Sequence, residues 1–336
     1  MTVWSARLGE IGHDAFASAV SAAGVGAFLS ASPVSGGLFG QNVYLSTTTG
    51  DYVFRGAPHW HNGGPNDDWQ FPKERFYADL LHAETAAPVA WPQHLGRCDA
   101  FPWPWLITPR LPGLSLADPA VSAGLARTDH AAIARAMGEM LAALQALTRP
   151  EAGDFDPALQ DFAPYEGGYA GHLVRMFERH GGSARDNGRF GDSDSQWLSR
   201  LLQGGLPGDG EGPAVFAHND FSLGNVLVDR TPDGWRVSGV IDLMTADFGD
   251  PAADLPRLAC QYLDTAPAMA AEFIGAWKAA APQPRPSADR VALLVALERL
   301  LIWDYFTRPG TEPELAPGQD FTAWAGGYID RVLALL

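Results

Sequence analysis

The residues of this chain best suited to chemistry are oxygen donors in Phe216-Ala-His-Asn-Asp-Phe-Ser-Leu-Gly-Asn-Val-Leu-Val-Asp229 and in Val237-Ser-Gly-Val-Ile-Asp242. Asp220 and Asn225 are five residues apart on a loop that precedes one strand of a predicted hairpin, and Asp242 ends the other strand. Three oxygen-bearing side chains can therefore converge at one end of that hairpin. Carboxylate and amide oxygens, with phosphate, suit Mg2+, a hard cation. In phosphoryl transfer a protein mainly positions groups and neutralises charge. One Asp on an acceptor hydroxyl, with an Asn and an Asp on the metal, is then a sufficient core.

The pattern His218-x-Asp220-x-x-x-x-Asn225 followed by Ile241-Asp242 resembles the catalytic loop and metal site of the aminoglycoside phosphotransferase family, whose members include choline, homoserine and methylthioribose kinases. Gly249-Asp-Pro-Ala-Ala-Asp254-Leu is similar to the family segment after the metal Asp, and Phe101 to Gly113 is similar to its inter-lobe connector. The likeness runs from about Gly36 to Leu258; beyond it only helical character matches. The resemblance implies an α+β, bilobal, protein-kinase-like fold. By it, Asp220 is the catalytic base or orients the acceptor hydroxyl, and Asn225 and Asp242 hold Mg2+. His218 buttresses the loop, and Asp254 ties the region back to it. Phe221-Ser222 depart from the family's usual Leu-His after the Asp. A literal Asp247-Phe248-Gly249 also invites a metal reading, but it is expected in a polar loop, whereas Asp242 follows directly on an apolar strand.

Upstream, Ser35-Gly36-Gly37-Leu-Phe-Gly-Gln-Asn42 between two predicted strands could lay backbone N–H groups over a triphosphate. Tyr52-Val-Phe-Arg55 looks like the strand whose lysine usually contacts the α- and β-phosphates; here a guanidinium stands in its place. Glu74 is its expected partner, and Lys73 the rival phosphate ligand, though as the helical neighbour of Glu74 it should face another way. Adenine should meet the backbone between Thr108 and Leu111. Pro109 has no N–H, so Arg110 or Leu111 must donate. His59-Trp60-His61 lies in a Gly/Pro/Asn loop without a third ligand and reads as surface.

The elements that must position these groups follow from hydrophobic periodicity. Helix is expected over 14–23, strands over 28–34, 42–47 and 51–55, and a polar loop over 56–72. A helix over 73–83 carries Phe76, Leu80 and Leu81 on one face. The expected division is a small lobe over 1–108, a hinge over 109–113 and a mainly helical lobe over 114–336. In that second lobe Ile133, Met137, Leu141, Leu144 and Leu147 form a stripe, and helices are expected over 273–281, 288–306 and 321–336. The hairpin 226–242 is the one strand pair expected there. The Gly/Asp-rich stretches 181–194 and 204–212 are expected as loops.

With 23 Lys+Arg against 39 Asp+Glu the formal charge is −16, a field that repels nucleic acid and anionic lipid and draws in cations. Lysine is nearly absent, only Lys73 and Lys278. Cys98 and Cys260 have no ligand spacing, and no signal-like or membrane-length apolar run is present, so the expected location is cytoplasmic. The acceptor should then meet carboxylates of the helical lobe: Asp161, Glu166, Glu298 and Asp304, with Asp304 favoured beside Trp303 and Tyr305. The reading is an O-phosphotransferase using ATP, with GTP as the alternative donor, and Mg2+. Its acceptor is a hydroxyl of a small cationic molecule, first an aminoglycoside or other antibiotic. A metabolic kinase for choline, an amino alcohol or a sugar is the alternative, and a catalytically silent member the third reading. Nucleic acid and membrane are not expected partners, and the chain is a monomer or homodimer.

Overall fold

The computed structural model describes residues 2–5, 9–34, 42–56, 69–101, 104–206, 212–281, 285–308 and 320–336. The chain divides into two compact units. The first is residues 1–113 with two later returns, 155–161 and 238–244; the second is the remainder. Both returning stretches fall within 114–336, the span expected as the second lobe.

In the first unit the hairpin β1 (Thr2–Ser5) and β2 (Gly9–Gly12) leads into α1 (His13–Ala23). Phe16, Ala19 and Val20 recur at helical spacing and are buried, and Gly24 ends the helix with φ of 69°, donating its N–H to Ser21 O. Then come β3 (Phe28–Pro33), β4 (Asn42–Thr47), β5 (Gly50–Gly56), α2 (Gln70–Glu84), β6 (His94–Gly96) and β7 (Trp105–Pro109). The strands form an antiparallel sheet in the order β3-β4-β5-β7-β6. Thr47 pairs with Gly50 across the tight β4–β5 turn, where Gly50 takes φ of 152°. Phe16, Phe54, Phe101 and Trp105 meet in an aromatic core, with Phe16 edge-on to Phe54 at 5.2 Å. Each such ring contributes about 1.5–3 kcal/mol by burial. The returns are docked by specific contacts: Val240 N donates to Pro88 O at 2.9 Å, Ser238 Oγ to Pro112 O at 2.8 Å, and Phe155 packs on Phe76 at 5.4 Å. Helix α2 begins at Gln70, not at residue 73 as expected, so Pro72 lies in its first turn, where its missing N–H costs nothing.

The second unit carries β8 (Leu114–Ser115), α3 (Pro119–Ala123), α4 (Arg127–Leu144), β9 (Thr148–Arg149), β10 (Gly153–Asp156) and β11 (Asp161–Pro164), whose intervening residues belong to the first return. Next are α5 (Gly168–Asp186), α6 (Asp192–Gly205), β12 (Ala214–Ala217), β13 (Val226–Thr231) and β14 (Gly234–Val240), which crosses into the second return after Val237. The chain ends with β15 (Asp247–Gly249), α7 (Leu255–Thr265), α8 (Pro267–Ala280), α9 (Ala288–Thr307) and α10 (Phe321–Leu333). Its sheets have the orders β11-β10-β15-β12-β9 and β14-β13-β8. More strands interrupt the helices here than periodicity indicates, because β9, β12 and β15 are too short to show a period. All five expected stripe residues are buried, the first four on α4 and Leu147 just past its end, and α4 packs closely on α8. Gly138 permits that approach, since a Cβ there would stand 2.3 Å from Phe273 O. Helix α9 is buried along most of its length and packs against α5, α6, α7 and α10.

Two expectations are corrected here. The stretch 181–194 is not a loop: α5 continues through Gly181 and Gly182 to Asp186, and α6 starts at Asp192. Burial of Leu173, Phe177 and Ala184 outweighs the cost of about 1 kcal/mol per glycine. Asp247-Phe248-Gly249 is not a polar loop either. It is the buried middle strand of a sheet, with Phe248 opposite Phe216 on one side and Gly153 on the other. Among the described residues no helix is long and apolar enough to cross a membrane.

Candidate active site

In the first unit the alternation of β5 sends Phe54 into the aromatic core and Arg55 to the opposite face. There Arg55 Nη1 donates to both carboxylate oxygens of Glu74, at 2.7 and 2.6 Å. Its Nη2 donates to Asp242 Oδ1 at 3.3 Å. Burial would lower the Arg55 pKa, but the charges of Glu74 and Asp242 outweigh it and hold the guanidinium above its ordinary value. Glu74 comes from the buried face of α2. The adjacent Lys73 directs its ammonium over the rings of Trp69 and Tyr77, at 5.7 and 5.8 Å. Asp242 follows β14 with φ of 66°, a left-handed conformation that a non-glycine residue adopts only when its surroundings enforce it. Its carboxylate is 36% exposed.

Asn42 lies directly opposite Arg55 in the β4–β5 register. Gly36 and Gly37 lie outside the described residues, as does His59-Trp60-His61. One adenine-donor expectation changes. Arg110 N already donates to Asp51 O at 3.0 Å, extending the β5–β7 ladder, and its guanidinium covers the Tyr44 ring at 3.9 Å. Of the two proposed N–H donors this leaves Leu111.

In the second unit the loop after β12 is held from beneath by Asp254. This fully buried carboxylate accepts from His218 N at 2.7 Å and Asn219 N at 2.6 Å. Burial raises its pKa, offset in part by His218 and by those two N–H groups. Asn219, at φ of 60°, is fixed further by its Nδ2 donating to Thr245 O at 3.0 Å. Buried His218 accepts from Asp220 N through Nδ1 at 3.3 Å, a buttressing contact. Asn225 Nδ2 donates to Asp220 O at 3.0 Å and to Asp220 Oδ2 at 2.8 Å. That fixes the amide so that its Oδ1 is the atom left for a cation.

The other oxygen of Asp220 has a partner that sequence reasoning missed. Arg257 Nε donates to Asp220 Oδ1 at 2.8 Å, while Arg257 Nη1 donates to Glu298 Oε1 at 3.0 Å. Arg299 Nε completes the chain on Glu298 Oε2 at 2.5 Å. Burial alone would raise the Glu298 pKa, but Arg299 and Arg257 outweigh it and hold the carboxyl below its usual range. Glu298 is therefore a link between two guanidinium groups and not an open anchor for a cationic acceptor. Asp304 is likewise spent. Its oxygens take His180 Nδ1 at 2.8 Å, Arg308 Nη2 at 2.7 Å and Ser183 Oγ at 2.5 Å, and it is 1% exposed. Trp303 beside it belongs to an interior aromatic cluster with Phe321 and Trp324. Of the two aromatic neighbours that suggested a pocket wall, Trp303 is core and Tyr305 is half-buried, edge-on to Phe306 at 5.0 Å.

Among the described residues no group of three or more His, Cys, Asp or Glu is arranged to hold a metal by itself. Asn225 in the second unit and Asp242 in the first each offer an oxygen of the kind Mg2+ takes, an ion that completes its shell from phosphate and water.

The family model described as "Phosphotransferase enzyme family" matches residues 30–294. No curated protein matches the chain in sequence. Among solved structures, a thermostable mutant of aminoglycoside phosphotransferase APH(4)-Ia is 18% identical in its apo form, with TM-score 0.60 and coverage of 96% of this chain and 98% of that one. A ternary complex of a related mutant with ADP and hygromycin B gives 19%, TM-score 0.55 and coverage of 94% and 97%. The GDP complex of aminoglycoside 2'-phosphotransferase-IIIa gives 16%, 0.57, 92% and 93%. A microcompartment-associated aminopropanol kinase gives 15%, 0.55, 91% and 90%. At such identities the likeness shows the fold, which is α+β and protein-kinase-like. The family match covers most of the chain, and the chain belongs to the aminoglycoside phosphotransferase family.

Proposed function

We propose that this protein transfers the γ-phosphoryl group of ATP to a hydroxyl of a small cationic molecule, with an aminoglycoside or another antibiotic as the first candidate. The observation that carries the reading is the Asp220 carboxylate, gripped on Oδ1 by Arg257 and on Oδ2 by Asn225. Each oxygen keeps a lone pair, so the group can receive and aim a hydroxyl proton while its rotation is blocked. Pre-orientation of that kind is worth up to about 7–11 kcal/mol of barrier, and proton acceptance about 10²–10⁴-fold in rate. Asn225 Oδ1 and the Asp242 carboxylate are the proposed Mg2+ ligands; the ion, when bound, neutralises charge on the phosphates. Arg55, held by Glu74, is the proposed contact to the α- and β-phosphates, and Leu111 N the donor to adenine. The charge of −16 supports a cationic acceptor. The ADP and hygromycin B complex of a structural relative supports ATP and an antibiotic.

A second reading, a metabolic kinase for an amino alcohol, choline or a sugar, draws on the aminopropanol kinase, whose TM-score equals that of the hygromycin B complex. One experiment separates them: ADP release from Mg-ATP over hygromycin B and other aminoglycosides, 1-amino-2-propanol, choline and sugars, with mass spectrometry of any hit. An acceptor that gains one phosphate decides between the classes. Background hydrolysis equal in wild type and Asp220→Ala, with no acceptor phosphorylated, would instead mark a silent member.

A further inference from the structure

We propose that Arg257 is a positioning residue for phosphoryl transfer, setting the Asp220 carboxylate through a relay that reaches the C-terminal helix. This rests on the reading of Asp220 given above. The start of α7 holds the catalytic loop twice. Asp254, just before the helix, binds the loop's backbone at His218 and Asn219, and Arg257, three residues on and so on the same face, binds the Asp220 side chain. Arg257 takes its own position from Glu298 of α9, and Arg299 takes the other oxygen of Glu298. The Arg299 guanidinium in turn lies over Tyr328 at 4.6 Å and Trp324 at 5.2 Å, both on α10.

Charges alternate along Asp220, Arg257, Glu298 and Arg299 and sum to zero, so the relay fixes geometry more than it adds field. Arginine is suited to this because its rigid fork binds two carboxylates at a set angle, which a lysine ammonium cannot do. The Arg257 and Asp220 side chains are 26% and 28% exposed. An ion pair so accessible contributes little to folding. Its consequence should fall on turnover.

The test compares wild type with Arg257→Ala, Arg257→Lys and Asp220→Asn. It measures ADP release from Mg-ATP with hygromycin B, 1-amino-2-propanol or water, the fastest of the three serving as probe. Expected for Arg257→Ala is a fall in kcat of about 10²-fold, with the KM for ATP and the melting temperature unchanged. Free guanidinium ion at non-denaturing concentration should restore part of that loss, and Arg257→Lys should lie between. Arg257→Ala need not unfold the protein, since Glu298 keeps Arg299. Wild-type kcat in Arg257→Ala alongside an inactive Asp220→Asn overturns this inference alone. So does a loss that tracks a fall in melting temperature and that guanidinium does not restore. Wild-type turnover in Asp220→Asn overturns the reading of Asp220 as well.

Discussion

Replacing Glu74 with Gln removes the charge that holds Arg55. The two side chains are 5% and 17% exposed and meet at 2.6 Å, so this pair is desolvated. Removing one partner from such a pair costs about 3–5 kcal/mol, because the other charge is left uncompensated. Asp242 Oδ1, at 3.3 Å, offers Arg55 a poorer substitute and places the cost near the lower end, about 3 kcal/mol. At about 2.1 cal/mol/K of unfolding entropy per residue over 336 residues, that lowers the melting temperature by roughly 4 °C. The double substitution Arg55→Met with Glu74→Met removes both charges and replaces them with apolar volume. It should cost clearly less than the sum of its single changes, by a coupling of about 1–3 kcal/mol. Thermal denaturation of the four proteins closes the cycle. In Glu74→Gln the freed guanidinium should also move towards Asp242 and raise the KM for ATP. Strictly additive single changes of under 1 kcal/mol would refute the argument that this pair is desolvated and mutually dependent.

Three further outcomes follow from the packing. Asp254→Ala leaves the N–H groups of His218 and Asn219 without their carboxylate, costing about 1–3 kcal/mol for each; melting and ADP-release rate should both fall, and an unchanged rate would show that the loop holds its shape unaided. Gly138→Ala should lower the melting temperature by about 1.5 °C per kcal/mol of overpacking, even though alanine is the better helix former, because its Cβ would meet Phe273 O; a rise would contradict the close α4–α8 approach. Burial would raise the Asp304 pKa, yet hydrogen bonds from His180, Arg308 and Ser183 hold it well below the usual carboxylate range. Its stabilisation is therefore present above an unfolded pKa of about 4 and is lost as pH falls below it. The stability difference between wild type and Asp304→Asn should shrink over that range, and a constant difference would refute the assignment.

What could be read from sequence was what local spacing encodes. His218, Asp220 and Asn225 lie within one loop, and their mutual contacts are set by that loop's own turns. Arg55 and Glu74 were legible as a lone cation on a strand and an acid on the next helix. Arg257 was not, because its two carboxylates lie 37 and 41 residues away, Asp220 on the loop after β12 and Glu298 on α9, and meet it only when both pack on α7. A signal existed nonetheless: Arg257 stands three residues after Asp254, on the same helix face. Glu298 and Asp304 misled because an acid beside aromatic residues describes a pocket wall and an interior ion cluster equally well. The glycines of α5 misled because propensity is local and the burial that overrides it is not.

One comparison tests the role of Asp220 most directly. With Mg-ATP and the best acceptor found, turnover and nucleotide affinity are measured side by side in wild type and Asp220→Asn. A carboxylate that aims the hydroxyl without holding the nucleotide predicts unchanged ATP affinity and a turnover lower by about 10³-fold. Turnover at the wild-type rate in Asp220→Asn would contradict it.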